Sequence, residues 1–258
     1  MRCFSVNSGS NGNCIYVEAG GRRPVRLLFD AGISGKQTAL RLAEHGVDIA
    51  AIDAVIISHD HADHVRCAGV LARKYHMPIY MTPKTYRAAS GYGLGAIDDL
   101  RLFEAGATLV FDQVRVDTHA TPHDAAEPVV TIVQADQRRL GILTDLGCVF
   151  DRLPDLLADL DGVFLESNYD PDMLRTGPYP PHLKRRIVGP QGHLSNQECA
   201  HLVRDAAGAR LQWVALAHLS ETNNTPELAW RTHHRLVGEL RPIHVAPRDR
   251  VGAPLEVV

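Results

Sequence analysis

The segment Val55-Ile-Ile-Ser-His-Asp-His-Ala-Asp-His64 decides how the rest of the chain is interpreted. It opens with a short apolar run typical of a buried strand, and three imidazoles and a carboxylate then follow at fixed offsets. Ordinary turns favour Gly, Asn, Ser and Pro, so repeated histidine is not the composition of a simple loop. Imidazole and carboxylate groups are the ligands that divalent cations bind. The segment therefore predicts a metal site on the turn after a strand.

On both sides of this segment the chain alternates short strands with amphipathic helices. The pattern predicts strands at residues 4–6, 14–18, 26–29, 55–57, 102–103, 108–111, 114–119, 129–135, 140–144, 162–166, 212–217 and 243–246. It predicts helices at residues 36–45, 64–75, 153–160, 195–207 and 226–240. Strands at both ends with helices between them indicate two mixed sheets face to face with outer helices, a four-layer αββα sandwich. We expect one domain over residues 1–258.

Composition and charge exclude several classes of protein. The 258 residues are 45% hydrophobic and carry a net charge of −3, so no global cationic surface for nucleic acid exists. Contact with a polyanion must come from a local basic patch or from bound metal. The five cysteines include no Cys-x-x-Cys pair, which argues against a disulfide framework and a cysteine zinc site. Without an apolar leader or a membrane-spanning apolar run, we expect a cytoplasmic protein with no membrane contact; its oligomeric state stays open.

Three more residues of metal-binding type follow predicted strands. His123 comes after the strand at 114–119, Asp145 after 140–144 and His218 after 212–217. A single histidine at a strand end is more often a surface or capping residue, so each is weak evidence alone. Because strand ends share a sheet edge, the three side chains could meet the cluster at His59–His64. Together they favour a site with two cations.

At this point the sequence resembles the metallo-β-lactamase superfamily, whose motifs supply such a ligand set. The likeness is closest to the YycJ/WalJ-type branch of bacterial exonucleases. It is carried by the segments SGSNGN, FDAGISGKQ, SHDHADH, GVLARKY, TPHDAAEP, TDLG, LESN, GPYPPHLKRRI, GHLSN and LAHLSETNNTPELA, between Ser8 and Ala229. The resemblance implies an αββα metallo-β-lactamase fold, two divalent metals, and 5′→3′ exonuclease activity on DNA, with a role in DNA repair. Endonuclease activity on single-stranded DNA is a secondary expectation.

The resemblance also implies how the ligands are divided. It gives one metal to His59, His61 and His123, and the second to Asp63, His64 and His218, with Asp145 bridging. A nitrogen and oxygen donor set without sulfur is compatible with Mn²⁺, Zn²⁺ or Fe, and the branch favours Mn²⁺. Two such ions would supply hydroxide at neutral pH for attack on phosphorus.

Other residues are candidates for proton transfer and orientation. The candidate catalytic residues are Asp63, Asp145 and His193. His193 is placed to protonate the leaving 3′-oxygen, although a plain loop residue or a ligand replacing His218 are alternatives. Glu166 is either an acceptor that orients a histidine or a helix cap. Tyr169 stands where this branch is expected to have histidine, and Asp60 is expected to point away from the metals.

Candidate substrate contacts are less specific. Lys184, Arg185 and Arg186 form the one concentrated basic run, which is either a solvated helix face or a phosphate contact beside the cleft. Tyr179 and His182 lie close to it and could stack on unpaired bases. Ser195 and Asn196 open a helix whose N–H groups could hold a phosphate. A nest around Ser10 could take a terminal 5′-phosphate, although an ordinary turn is the commoner reading. The expected partner is DNA, with single strands or 5′ ends favoured.

Three other functions remain open at this stage. The short distance from Glu166 to His193 leaves no room for an inserted cap domain, which argues against relatives that process RNA. Hydrolysis of a lactam, lactone, thioester or small phosphodiester is a further alternative, although the carboxylates Asp63 and Asp145 favour phosphodiesters. A non-catalytic scaffold would not need a complete ligand set.

Overall fold

The computed structural model describes residues 1–239 and 241–258, and within them two β-sheets are covered by helices. The strands in chain order are β1 (Arg2–Asn7), β2 (Cys14–Ala19), β3 (Val25–Phe29), β4 (Ala54–Ile56), β5 (Ile79–Met81), β6 (Leu100–Leu102), β7 (Thr108–Phe111), β8 (Val114–Ala120), β9 (Val129–Ala135), β10 (Arg138–Leu143), β11 (Gly162–Glu166), β12 (Trp213–Ala217), β13 (Ile243–Val245) and β14 (Leu255–Glu256). The helices are α1 (Gly35–Ala43), α2 (Ala62–Val65), α3 (Ala68–Tyr75), α4 (Pro83–Ala89), α5 (Leu153–Ala158), α6 (Pro171–Thr176), α7 (Pro181–Ile187), α8 (Asn196–Ala206) and α9 (Pro226–Val237). Short 3₁₀ turns lie at Ile49–Ala51 and Ser90–Tyr92.

Each sheet is antiparallel on one side and parallel on the other. The first has the order β14-β1-β2-β3-β4-β5-β6 and is parallel from β3 to β6. The second has the order β13-β12-β11-β10-β9-β8-β7 and is parallel from β13 to β10. Parallel strands send their carboxyl ends to one edge of a sheet, which is where open α/β sheets carry their polar, ligand-binding loops.

Apolar side chains form three buried layers that define the arrangement. Between the two sheets, Phe29 of β3 belongs to the same cluster as Phe164 and Trp213, whose rings meet edge to face at 5.7 Å. Leu42 and Leu71 pack α1 and α3 onto the outer face of the first sheet. A third cluster packs α5, α8 and α9 onto the second sheet. The αββα sandwich expected from the sequence is therefore confirmed.

The helix predicted at residues 64–75 is in fact two helices, α2 and α3. The break lies at Cys67, whose backbone φ of −105° and ψ of 2° leave the helical region. Its N–H donates to the Ala31 carbonyl, and the Ala31 N–H donates to the carbonyl of His64. Tertiary hydrogen bonds to the loop after β3 thus replace helical ones, which the apolar periodicity could not reveal.

Five elements have no counterpart in the sequence prediction: β5, β14, α4, α6 and α7. All three of these helices begin with a proline, namely Pro83, Pro171 and Pro181. Proline at the first helical position is a start signal, so this feature could have located them. Leu240, the predicted end of the last helix, lies outside the described residues. Elsewhere predicted bounds differ from the observed ones by at most three residues, as fraying ends allow.

Within the described chain, helices are all too short or too polar to cross a bilayer. Between β11 and His193 the chain forms α6 and α7. The expectation of a single domain without an inserted cap stays a prediction.

Candidate metal centre

Seven side chains of metal-binding type converge where the loops after four strands meet. Two of them follow β4, two lie on the four-residue helix α2, and one each follows β8, β10 and β12. These residues are His59, His61, Asp63, His64, His123, Asp145 and His218. The structure brings together all seven residues that the sequence predicted as ligands.

The first group of donors consists of His59, His61 and His123, whose ligand atoms lie within 4.8 Å of one another. His61 Nδ1 is 3.3 Å from His123 Nε2. The three rings are mutually tilted, with centroids 4.7 to 5.2 Å apart. Three neutral imidazoles arranged around one point are a typical donor set for a divalent transition metal.

The second group consists of Asp63, His64 and His218. Asp63 Oδ2 lies 3.5 Å from Nε2 of His64 and 3.5 Å from Nε2 of His218. With a carboxylate in place of one imidazole, this group offers a harder donor set than the first.

Asp145 connects the two groups through its two carboxylate oxygens. Its Oδ1 is 3.6 Å from His123 Nε2, and its Oδ2 is 3.3 Å from His64 Nε2. The backbone of Asp145 has φ of 59° and that of His218 has φ of 55°, both in the left-handed region that non-glycine residues rarely adopt. Strained backbone at two donors is a pattern that functional sites retain.

Three buried polar atoms of the donor residues lack hydrogen-bond partners, which bears on whether cations fit this site. His59 Nε2, Asp145 Oδ2 and His218 Nε2 are buried and have no hydrogen-bond partner within residues 1–239 and 241–258. A buried polar atom without a partner costs folding free energy, and a bound cation would provide the missing partner. The donor set and these atoms therefore fit two divalent cations.

Hydrogen bonds behind the donors fix which ring nitrogen faces inward. The Nδ1 atoms of four histidines are held from behind: His59 by Ser58 Oγ, His64 by Asp30 Oδ2, His123 by Gly192 O and His218 by Glu166 Oε1. Each of these rings therefore presents Nε2 to the centre. His61 is reversed, with Nε2 near the Asp124 carbonyl and Nδ1 inward.

Glu166, at the end of β11, is the main orienting carboxylate. Its Oε1 accepts from Nδ1 of His218 and Nδ1 of His193, each at 2.9 Å, and its Oε2 accepts from the Leu146 and Leu194 N–H groups. Burial alone would raise the pKa of Glu166, but His193 and His218 hold it well below its ordinary value. Of the two sequence readings, the acceptor role matches these contacts and the helix cap does not.

Charge shifts the pKa values within the centre in opposite directions. Burial, followed by neighbouring imidazoles, lowers the pKa of His59 well below its ordinary value. Burial also opposes protonation of His64, but the carboxylates of Asp145, Asp30 and Asp63 hold its pKa well above the ordinary value. A histidine must be neutral to bind a metal, so cation binding displaces a proton here.

Sequence reasoning missed two residues that complete the centre. Asp30, after β3, receives the His64 hydrogen bond at 2.7 Å. Asn13 Nδ2 lies 2.9 Å from His64 Nε2 and donates to Asp63 Oδ2 at 3.2 Å. Asp30 follows an apolar strand just as Asp145 does, so the same signal could have found it; Asn13 gives no comparable signal. Asp60 accepts from the Ala126 N–H and belongs to none of the donor groups among the described residues.

An open cleft of about 360 Å³ leads to the centre. It is lined by Ser10, His61, Ala62, Asp63, Asp145, Asn168, Tyr179, Leu183, Arg186, Ile187, His193, His218 and Ser220. Ser10 and His193, both predicted from the sequence, belong to this lining. Tyr169 does not, because its side chain is buried with Leu174 and Ile187.

Four predicted substrate contacts lie outside the cleft lining. Ser195 caps α8 in a reciprocal capping box with Glu198, and Asn196 is fully buried against Ser167 and Asn224. Lys184 Nζ donates to the carbonyls of Arg175 and Gly177, each at 2.8 Å. Arg185 is exposed and does not belong to the cleft lining. The basic residue of this run that reaches the cleft is Arg186, which the sequence did not single out.

Known proteins place this geometry in a family. Residues 8–184 match the family described as the metallo-beta-lactamase superfamily. The chain is 39% identical to the exodeoxyribonuclease WalJ of Streptococcus pneumoniae strain D39, over 90% of this chain and 86% of the relative. It is 38% identical to the exodeoxyribonuclease YycJ of Bacillus anthracis, over 88% and 85% of the two chains.

Solved structures of the same fold class resemble this chain as well. The metallo-beta-lactamase fold protein YhfI from Bacillus subtilis superposes with a TM-score of 0.74 at 16% identity, covering 97% of this chain and 98% of that one. At that identity the likeness concerns the fold alone. The family match, the two relatives and the assembled donor set together mean that this chain is a metal-dependent hydrolase and belongs to the metallo-β-lactamase superfamily.

Proposed function

We propose that this protein is a two-metal phosphodiesterase that degrades DNA from the 5′ end. The observation that carries the proposal is Asp145, whose two oxygens face two separate donor groups 3.3 and 3.6 Å away. The relatives named exodeoxyribonucleases, similar over about nine-tenths of the chain, support DNA as the substrate. Mn²⁺ is the favoured metal, with Zn²⁺ or Fe as alternatives, and cytoplasmic DNA repair is the proposed setting.

The cations would be held by the residues already described. His59, His61 and His123 would bind one ion, Asp63, His64 and His218 the other, and Asp145 both. Two ions held there would supply hydroxide at neutral pH and offset the negative charge of the phosphate oxygens. Asp63 and Asp145 add two negative charges near the substrate, and bound cations would offset them.

His193 is the residue we assign to the leaving group. When water attacks phosphorus and the P–O3′ bond breaks, the departing 3′-oxygen needs a proton. Glu166 Oε1 accepts the Nδ1 hydrogen of His193, which leaves Nε2 as the atom that can give up a proton to that oxygen. The same carboxylate holds the ring in that orientation. The products are a released nucleotide that ends in a 3′-hydroxyl and a shortened strand that begins with a 5′-phosphate.

Metal-loaded protein and labelled substrates test this proposal. Protein stripped with a chelator is reloaded with Mn²⁺, Zn²⁺ or Fe²⁺ and given single- and double-stranded DNA, RNA of the same sequence, and a chromogenic lactam. We expect DNA degradation with Mn²⁺, release of a 5′ label as a mononucleotide, and progressive shortening of 3′-labelled strands. Lactam turnover without DNA degradation would refute the nuclease assignment. Faster cleavage of RNA than DNA, or release from the 3′ end, would refute the substrate or the polarity.

A further inference from the structure

One wall of the cleft is built by α7 and the turn before it. Leu183, Arg186 and Ile187 are spaced three and four residues apart, so they lie on one face of α7, and Tyr179 precedes the helix. All four line the cleft together with metal-binding residues such as Asp63 and His218. We call these four residues the α7 wall. The proposed reaction gives it no role so far.

Arg186 is the cation of the α7 wall, and it is already oriented. Its Nε and Nη2 donate to the two carboxylate oxygens of Asp124. Asp124 Oδ1 in turn lies 3.7 Å from His61 Nε2 and 3.6 Å from His123 Nε2. The guanidinium is therefore fixed beside the first donor group, on the cleft side.

One edge of this guanidinium is still free. Within the described residues, Nη1 of Arg186 has no hydrogen-bond acceptor, and 48% of the side chain is exposed. Arginine has five donors in a planar fork, so Asp124 can use one edge while a phosphate takes another. An exposed, pre-oriented cation next to a metal centre is suited to a phosphate of the substrate.

The rest of the α7 wall is apolar and aromatic. Tyr179 and Leu183 are half-buried and pack on a small cluster formed by Tyr169, Leu174 and Ile187. This cluster is separate from the three large cores, and the α7 wall packs on it. A supported tyrosine ring beside a cation is a surface on which a nucleobase can stack.

We infer that the α7 wall is the binding site for one unpaired nucleotide next to the scissile bond, with its phosphate on Arg186 and its base on Tyr179 and Leu183. The inference rests on the proposed function, and it explains why the enzyme would act on single-stranded DNA. A base can stack there only when it has left the duplex.

The three adjacent basic residues of α7 provide their own controls. Lys184 holds the carbonyls of Arg175 and Gly177 and so anchors the wall. Arg185 is exposed and outside the cleft lining. Arg186→Ala and Arg185→Ala therefore remove the same charge from neighbouring positions, and only the first removes a cleft contact.

Binding to metal-free protein separates this test from catalysis. The probe is a 5′-phosphorylated, fluorescently labelled single-stranded oligodeoxynucleotide, measured by anisotropy at several salt concentrations in the presence of a chelator. Arg186→Ala should weaken binding by about tenfold and lower the salt slope by about one, while Arg185→Ala should change the affinity by less than about twofold. Arg186→Lys should recover part of the loss, because it keeps charge without the fork. Equal effects of the two alanine variants would overturn the inference.

The base contact needs its own readout. Tyr179→Ala should weaken binding of the same oligonucleotide by about tenfold, and Tyr179→Phe should leave it nearly unchanged. The loss should vanish with an oligonucleotide that is abasic at its 5′ residue; a loss that persists there means a structural effect and overturns the stacking assignment. Wild-type protein that degrades no DNA with any metal refutes the proposed function. DNA degradation with equal Michaelis constants for the Arg186→Ala and Arg185→Ala variants refutes only the α7 wall.

Discussion

Two buried histidines in different regions of this molecule have opposite acid–base properties. His218, at the end of β12, is 3% exposed, and His233, in α9, is fully buried. Burial alone favours the neutral form of both rings. For His218 that effect is overcome by Asp145, Asp63 and Glu166, which raise its pKa to about 10. For His233 burial acts alone and lowers the pKa to about 4.

The difference shows which feature of a histidine indicates chemistry. Burial is common to both residues, so it cannot distinguish a metal ligand from a side chain of the protein interior. What distinguishes His218 is that one nitrogen is held by Glu166 while the other faces a carboxylate at 3.5 Å. Within the described residues, neither nitrogen of His233 has a hydrogen-bond partner. For this pair, the carboxylates on both sides of the His218 ring distinguish the candidate metal ligand from the interior side chain.

The largest effect is expected from removing the charge that joins the two donor groups. Asp145→Asn keeps the shape of the side chain, and asparagine also tolerates the left-handed backbone at this position. The substitution removes the negative charge of the proposed shared ligand. We expect almost complete loss of both bound metal and nuclease activity, measured by elemental analysis and by DNA degradation. Full metal content with full activity would contradict the bridging role. A circular dichroism spectrum like that of wild type is the control for folding.

A smaller effect is expected at the carboxylate that orients His218 and His193. Glu166→Gln can still fill the space, but it cannot accept from both Nδ1 atoms with a full negative charge. Loss of an orienting partner typically costs about 10- to 100-fold in metal affinity or activity. We expect a decrease of that size in kcat with a changed pH profile, because the ring of His193 loses the carboxylate that accepts from its Nδ1. A variant with unchanged kcat and pH profile would remove Glu166 from the proposed mechanism.

The metal-binding residues could be predicted from the sequence, whereas most of the substrate contacts could not. The cluster His59–His64 was readable because its residues are adjacent, and His123, Asp145 and His218 were readable because each follows an apolar strand. Arg186 was not readable, because three adjacent basic residues on a helix give no indication of which one faces a cleft. Ser195 and Asn196 open a helix as predicted, yet their polar atoms are engaged by Glu198, Ser167 and Asn224. Side-chain direction depends on tertiary packing, which periodicity does not describe.

His233 should make the cation-free protein less stable as the pH falls. Its pKa is 6.5 ordinarily and about 4 in the fold, so between these values the unfolded chain binds a proton that the folded chain does not. The contribution is present above pH 6.5 and lost as the pH falls towards 4, up to roughly 3 kcal/mol. We expect His233→Leu to lose less free energy of unfolding than wild type between pH 7 and pH 4.5, by urea denaturation with a chelator present. Parallel pH dependences of the two proteins would show that His233 is accessible to protons in the fold.

The smallest effects distinguish a helix cap beside the metal centre from one remote from it. Ser195 caps α8 two residues after His193, and Thr225 caps α9, the helix that carries His233. In each, the side-chain oxygen accepts the N–H three residues on, so Ser195→Ala and Thr225→Ala should each lower the free energy of unfolding by about 1 kcal/mol. If Ser195 acts only as a cap, the Michaelis constant for DNA is the same in both variants. A Michaelis constant raised by Ser195→Ala and not by Thr225→Ala would instead show that Ser195 contacts the substrate. In that case the Ser195 hydroxyl would first have to break its hydrogen bond to Glu198.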